Sequence, residues 1–282
     1  MKVLVTGVKG QLGHDVMNEL AGRGIEGFGV DVEEMDITDK EACERVITGA
    51  KPDAVIHCAA YTAVDAAEDN LELCRKVNAE GTRNIAKVCK ALDIKMMYIS
   101  TDYVFNGGGG RPWEPDDHRE PLNVYGLTKY EGEISVEQNV SKYFIVRIAW
   151  VFGVNGGNFI KTMLRLGKEK GAVSVVDDQI GSPTYTYDLA RLLVDMIQTE
   201  RYGRYHATNE GICSWYLTIT SMHACIAPAK FTVSIGTPVY CIIIWCISNR
   251  SSSSRSKNFL PQSVIRAFEI VSPLRRAKPI AK

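Results

Sequence analysis

Residues 2–24, KVLVTGVKGQLGHDVMNELAGRG, decide the fold. KVLVTG, residues 2–7, is a continuous apolar run of strand-forming residues. From Gln11 the pattern changes: Leu12, Val16 and Leu20 recur every fourth residue and the run ends at glycine, which reads as a helix. Gly7, Gly10 and Gly13 fill the turn between the two. A helix start offers unpaired N–H groups and a partial positive charge. Glycines let the backbone turn tightly and approach a pyrophosphate without a Cβ in the way. The strand, glycine turn and helix are therefore read as a dinucleotide-phosphate loop, with Gly7, Gly10 and Gly13 at the cofactor.

The same alternation continues outward. IEGFGVD (25–31), DAVIHCAAY (53–61), IKMMYIST (94–101) and YFIVRIAWVFG (143–153) read as strands, and residues 70–93 as one long amphipathic helix. Strands that are apolar throughout, each followed by a helix, belong to a parallel sheet covered on both faces. Right-handed crossovers make it a doubly wound α/β sheet of the Rossmann type. NFIKTMLRLGKEKG and TYTYDLARLLVDMIQTE add two helices, expected in a smaller, incomplete C-terminal substrate region over one sheet edge. The division expected is a dinucleotide-binding domain over 1–152, a partial substrate region over 153–216 and an atypical tail over 217–282.

Composition excludes several classes. The 282 residues carry no formal net charge. No apolar run reaches the roughly 20 residues that span a bilayer, and no secretory leader is visible. The 8 cysteines form no Cys-x-x-Cys pair, which disfavours a zinc site or redox dithiol. A cytoplasmic protein with free thiols and no metal site is expected. The neutral total hides an asymmetry: residues 217–282 hold nine bases against the single acid Glu269, and a four-serine run at 251–254. A nucleic-acid arm is disfavoured there, because the bases have no organised partners.

Asp31 closes the second strand. An acid at that place accepts hydrogen bonds from the adenosine ribose and repels a 2′-phosphate, so NADH is favoured over NADPH. The alternative is a turn aspartate. Asp36 and Ile37 open DITD, a turn beside the adenine, and Asp39 fits a helix cap. The fourth strand ends in ISTDYVFNG, placing Ser100 and Thr101 at the ligand crevice. PLNVYGLTK follows, with Tyr125 and Lys129 on one helical face. A lysine ammonium is expected to pull the phenol toward the phenolate and tune Tyr125 for proton exchange, while Thr101 bonds a substrate carbonyl. Hydroxyl, phenol and ammonium together spell carbonyl–alcohol redox chemistry.

The glycine spacing, the Ser/Thr strand end and Tyr-x-x-x-Lys resemble the extended short-chain dehydrogenase/reductase superfamily. More narrowly, TGVKGQLG, HCAAYTAVDAAE, STDYVFNG, PLNVYGLTKYEGE, RIAWVFG, NFIKTMLRL and DDQIGSPTYTYDLA, in this order up to about Tyr216, are similar to the dTDP-4-dehydrorhamnose reductase family. The resemblance implies NADH- or NADPH-dependent reduction of the 4-keto group of dTDP-4-dehydro-L-rhamnose, giving dTDP-L-rhamnose for surface polysaccharide. It implies that Gly10, Gln11 and Leu12 cradle the cofactor phosphates and that Asp31, Asp36 and Ile37 hold the adenosine end. Ala60, Tyr61 and Thr62 would line the cofactor groove. Thr101, Tyr125 and Lys129 would be catalytic, Lys129 also binding the nicotinamide ribose. Asp102 and Trp150 would face the sugar nucleotide, with core packing as the alternative for Trp150. A monomer or homodimer is expected. His14 stands where some members carry a magnesium-binding glutamate, so no such site is expected.

Dehydratases of this superfamily carry Asp-Glu after the threonine; here Asp102 precedes Tyr103, which disfavours dehydration. A reductase or epimerase of another nucleotide sugar, or a non-catalytic dinucleotide-binding regulatory subunit, are the alternatives, and the intact Thr101, Tyr125 and Lys129 argue against the last. Beyond Tyr216 the family pattern stops. A frame shift near that point, a poorly ordered tail and an aggregation-prone apolar run at VYCIIIWCI are expected.

Overall fold

The structure, a computed structural model, describes residues 1–108 and 111–219. Of the tail expected over 217–282, residues 217–219 are described and helical, and the expectations for 220–282 lie outside the described residues.

The first half alternates as its sequence requires. β1 (Lys2–Thr6) leads to α1 (Gln11–Gly22), β2 (Glu26–Val30) to α2 (Lys40–Ala50). β3 (Ala54–His57) is followed by α3 (Val64–Asp69) and α4 (Leu71–Arg75), then by π-helical turns over Lys76–Gly81 and α5 (Thr82–Leu92). β4 (Lys95–Thr101) runs into a short 3₁₀ turn at Asp102–Val104 and then α6 (Val124–Asn139). β5 (Tyr143–Ile148), β6 (Val151–Phe152), α7 (Phe159–Lys170), β7 (Ile180–Gly181), β8 (Thr184–Tyr185), α8 (Thr186–Ile197), β9 (Gly203–His206) and β10 (Cys213–Ser214) follow, and residues 215–219 are helical.

Among the described residues six strands form one sheet in the order β2-β1-β3-β4-β5-β9, and every neighbour is parallel. The chain leaves β1 toward β2 on one side and crosses back to β3 on the other. That reversal opens a crevice at the carboxyl ends of β1 and β3, where doubly wound sheets take their ligands. Both sheet faces are dry. Val3, Val5, Ile56, Met97, Phe144 and Val146 pack under α1 and α8; Leu4, Val55, Met96, Tyr98 and Ile145 pack under α2, α5 and α6. Alternate residues of one strand thus enter opposite cores, so the strands read as unbroken apolar runs. Each fully buried side chain of this size contributes about 1.5–3 kcal/mol of transfer free energy.

Three elements differ from the sequence expectation. The helix over 70–93 is interrupted by the π turns, an insertion that 3.6-residue periodicity does not reveal. There Gly81 lies over Ile37, and a Cβ on it would come within 2.8 Å of the Ile37 side chain. The strand over 143–153 is broken at Trp150, whose φ of +49° ends β5 and redirects the chain into β6. Thr184 holds the break, its hydroxyl donating to the Ala149 carbonyl at 2.6 Å and its amide to the Trp150 carbonyl at 3.1 Å. Finally, the chain beyond residue 153 returns to the main sheet. α8 packs in the same core as α1, the Thr186 hydroxyl donates to buried Asp15 at 2.5 Å, and β9 adds the sixth strand beside β5. β6–β8 and the antiparallel β7–β10 pair stand apart from that sheet.

Candidate active site

A cavity of about 750 Å³ occupies the crevice. Its floor is the glycine turn. Gly7 has φ +69°, and a Cβ on it would lie 2.8 Å from the Ala59 amide nitrogen. Gly13 is packed more tightly still: a Cβ there would fall 2.3 Å from the Gly7 carbonyl oxygen. These two glycines are demanded by the backbone itself. Gly10 meets only the Gly7 carbonyl, at 3.2 Å, and is the N-cap of α1 without a side-chain cap. The helix start is therefore left free to receive an anion.

Asp31 follows directly on β2 and lines the cavity. Its two carboxylate oxygens accept from the Lys9 and Val32 amides, each at 2.9 Å, so it also braces the glycine turn. Lys9 pairs with Glu33 at 2.7 Å. Asp36 and Ile37 line the same end, and Asp39 caps α2 through the Glu41 and Ala42 amides. Ala60 and Thr62 reach the cavity wall. Tyr61 does not line it: its backbone is held from behind by Asn78, which accepts from the Tyr61 amide at 2.8 Å and donates to its carbonyl at 3.1 Å.

A buried relay fixes this wall. The Ala59 amide donates to Thr6 Oγ1, which donates to His57 Nδ1 at 2.8 Å; His57 Nε2 faces Thr82 Oγ1 at 3.1 Å, whose own proton goes to the Asn78 carbonyl at 2.6 Å. The only tautomer that serves every partner is neutral with the proton on Nε2. Burial lowers the His57 pKa to about 3, in keeping with that state.

Thr101, Tyr125 and Lys129 converge on the opposite wall. Thr101 ends β4; its hydroxyl donates to Asp102 at 3.0 Å and accepts the Tyr103 amide at 3.2 Å. Asn123 caps α6 by accepting the Gly126 amide at 2.7 Å, which sets Tyr125 and Lys129 on the face toward the cavity. A Cβ on Gly126 would lie 2.2 Å from the Tyr103 carbonyl, and one on Gly132 2.3 Å from Tyr98 Oη, so both glycines let α6 approach closely. Lys129 is buried, donates from Nζ to the Ile99 carbonyl at 2.8 Å and sits 4.2 Å above the Tyr98 ring. Desolvation lowers its pKa to about 7, against the opposing charge of Glu133.

The electrostatics of Tyr125 correct the sequence expectation. Burial raises its pKa above the ordinary phenol value, and the hydrogen bond with Thr101 only partly opposes this. Tyr125 thus keeps its proton at neutral pH, the proton it would donate. Trp150 lines the cavity and stacks on Trp215, ring centroids 3.7 Å apart and 16° from parallel. It therefore both lines the cavity and packs, a Cβ on Gly181 falling 2.7 Å from its ring.

The cradle fits a nicotinamide dinucleotide: an uncapped helix start, a carboxylate at the end of β2, and hydroxyl, phenol and ammonium at the far end of one cavity. The family described as RmlD substrate binding domain matches residues 1–226, somewhat past the expected end at Tyr216. The chain belongs to the dTDP-4-dehydrorhamnose reductase family. Among solved structures it is similar to a dTDP-4-dehydrorhamnose reductase of Clostridium acetobutylicum, 43% identical over 80% of each chain with a TM-score of 0.77. It is equally similar in fold to the reductase of Bacillus anthracis in complex with NADP, 42% identical over 79% of this chain and 81% of that one, TM-score 0.77. Among curated proteins it resembles the spore coat polysaccharide biosynthesis protein SpsK of Bacillus subtilis, 39% identical over 78% of each chain. The parallel doubly wound sheet of this chain matches the fold of these reductases, of which the Bacillus anthracis one holds NADP.

Several residues of this reductase-family site were not found from sequence. Cys58, Ala59, Val77, Tyr103, Gly156 and Gly157 also line the cavity. The last two sit on a loop clasped to the glycine turn, where Asn155 donates to the Lys9 and Gly10 carbonyls and Asn158 to Gln11 Oε1 at 2.9 Å. The asparagines of VNGGN were the available signal, because asparagine side chains often tie loops to backbone. Among the described residues no helix is long and apolar enough to cross a membrane.

Proposed function

We propose that this chain reduces the 4-keto group of dTDP-4-dehydro-L-rhamnose to the alcohol, giving dTDP-L-rhamnose. The observation that carries this reading is the meeting of Thr101, a neutral Tyr125 and Lys129 in the cavity that also contains the glycine cradle. The nucleotide sugar is assigned from the relatives in Clostridium and Bacillus that carry that reductase name.

A bound reduced nicotinamide dinucleotide supplies the hydride. Tyr125 donates its proton to the developing alkoxide, and the buried site makes that transfer stronger than water would. Thr101 turns its hydroxyl from Asp102 to the same oxygen. Lys129 leaves the Ile99 carbonyl for the ribose hydroxyls and, as an ammonium, favours charge arriving at Tyr125. Asp31 takes the adenosine ribose, and the α1 start takes the pyrophosphate. Asp102 and Trp150 face the sugar nucleotide. The preferred cofactor is NADH, supported by Asp31 on the cavity wall at the end of β2, where a 2′-phosphate meets like charge. The cytoplasm is the compartment assigned, in keeping with the free thiols of Cys43, Cys58, Cys74, Cys89 and Cys213. NADH oxidation by the full chain with dTDP-4-dehydrorhamnose tests the reading; NADH binding without sugar-dependent oxidation would overturn it in favour of a non-catalytic dinucleotide-binding subunit.

A further inference from the structure

Glu133 lies one helical turn beyond Lys129 on α6 and has no exposed surface. Its Oε1 accepts from Ser100 Oγ at 2.6 Å and from Arg147 Nε at 2.8 Å. Its Oε2 accepts from Arg147 Nη2 and Arg119 Nη1, both at 2.8 Å. Arg147, equally buried on β5, also donates to the Pro115 carbonyl at 2.8 Å. The network extends outward: Arg119 reaches Glu137 at 2.9 Å, and Glu137 accepts from Arg204 of β9 at 2.6 Å. One carboxylate therefore joins β4, β5, α6 and the segment leading into α6.

An unpaired carboxylate could not be buried here. Burial pushes the Glu133 carboxyl up, and Arg147, Ser100 and Arg119 together outweigh it, so the group stays ionised. A buried ion pair adds little stability over apolar packing of the same volume. What it fixes is geometry. Ser100 adjoins Thr101 on β4, and Glu133 shares its helix face with Tyr125 and Lys129.

We propose that Glu133 is a positioning residue: its carboxylate, clamped by Arg147 and Arg119, locks the Ser100–Thr101 strand end onto the helix face of Tyr125 and Lys129 and sets a fixed negative charge one helical turn from Lys129. The proposal rests on reading the site as a ketoreductase. Around Lys129 stand Tyr98 on β4, His57 and Cys58 at β3, Cys74 on α4, and Tyr125 and Glu133 on α6. Of the charges acting on it Glu133 is the largest, and it works against the desolvation that brings Lys129 to about 7.

The sign follows. Glu133→Gln removes the negative charge, Lys129 loses its proton at lower pH, and the alkaline fall of NADH binding moves to lower pH by about one unit. Arg119→Met leaves the Glu133 charge less compensated, so the fall moves to higher pH. NADH titrations of the full chain and both variants across the neutral and alkaline range read this directly, with sugar-dependent NADH oxidation measured in parallel. Opposite shifts are the expected result. Weakened binding with an unmoved midpoint in both variants, or shifts in one direction, would overturn the proposal. Should Glu133→Gln not fold, the direction of the Arg119→Met shift decides alone. A wild-type chain that binds NADH without reducing the sugar overturns the reductase reading, while the NADH midpoints still decide the role of Glu133.

Discussion

Trp215 lies against Trp150 with ring centroids 3.7 Å apart, and Phe159 packs on Trp215 at 4.2 Å. Trp150 has a left-handed backbone, which costs a bulky residue on the order of 1–3 kcal/mol and persists only where its surroundings hold it. Thr184 holds the backbone and the stack adds to that hold from the side chain, an aromatic pair contributing about 0.5–1.5 kcal/mol. Trp215→Ala should therefore free Trp150 and raise the KM for the nucleotide sugar several-fold, with kcat and NADH affinity little changed. Trp215→Phe should restore most of the loss. Steady-state kinetics of both variants check this, and an unchanged KM in Trp215→Ala would remove the stack from substrate binding.

Tyr125→Phe should lower turnover by about 10²–10⁴-fold while NADH binding stays near wild type, because only the proton donor is lost. The ring keeps its edge contact with Tyr103, at 5.7 Å, so packing is preserved. Circular dichroism and an NADH titration alongside the kinetics separate loss of chemistry from loss of fold. Near-normal turnover would take Tyr125 out of the mechanism.

The cofactor preference is tested better by Asp31→Asn than by Asp31→Ala. Alanine removes the acceptor of the Lys9 amide and loosens the glycine turn as well. Asparagine keeps an acceptor and removes the charge. NADH should then bind more weakly and NADPH more tightly, narrowing the ratio between them. Parallel titrations with both cofactors decide, and an unchanged ratio would reduce Asp31 to a brace of the turn.

The fold was legible wherever one signal sufficed. Gly7, Gly10 and Gly13 between an apolar run and a four-residue periodicity admit few structures, and the strand end at Thr101 with Tyr125 and Lys129 beyond it pointed to one cavity, which all three line. What stayed hidden needed partners distant in the chain. The π turns owe their place to Asn78 reaching Tyr61 and Gly81 receiving Ile37. The break at Trp150 is held by Thr184, and Glu133 looks like one more surface acid of α6 until Arg147 and Arg119 are brought to it. The protonation of Tyr125 is hidden for the same reason: the sequence displays the neighbouring lysine but not the burial that holds the phenol's pKa up.

The three glycines of the phosphate loop should not respond alike to an added methyl. A Cβ on Gly13 would meet the Gly7 carbonyl oxygen at 2.3 Å, a backbone atom that cannot rotate away, so α1 must shift from β1. Gly13→Ala should cost about 1–3 kcal/mol of stability and abolish NADH binding together. Gly10→Ala meets the same oxygen only at 3.2 Å, a contact that small movements relieve. Its methyl is added at the wall of the cavity, so stability should stay within about 0.5 kcal/mol while NADH affinity falls. Thermal unfolding and NADH titration of the two variants test the contrast. Equal thermal shifts would mean that the tight approach at Gly13 is not what fixes the loop, and unaltered affinity in Gly10→Ala would mean that the pyrophosphate does not pass over this turn of backbone.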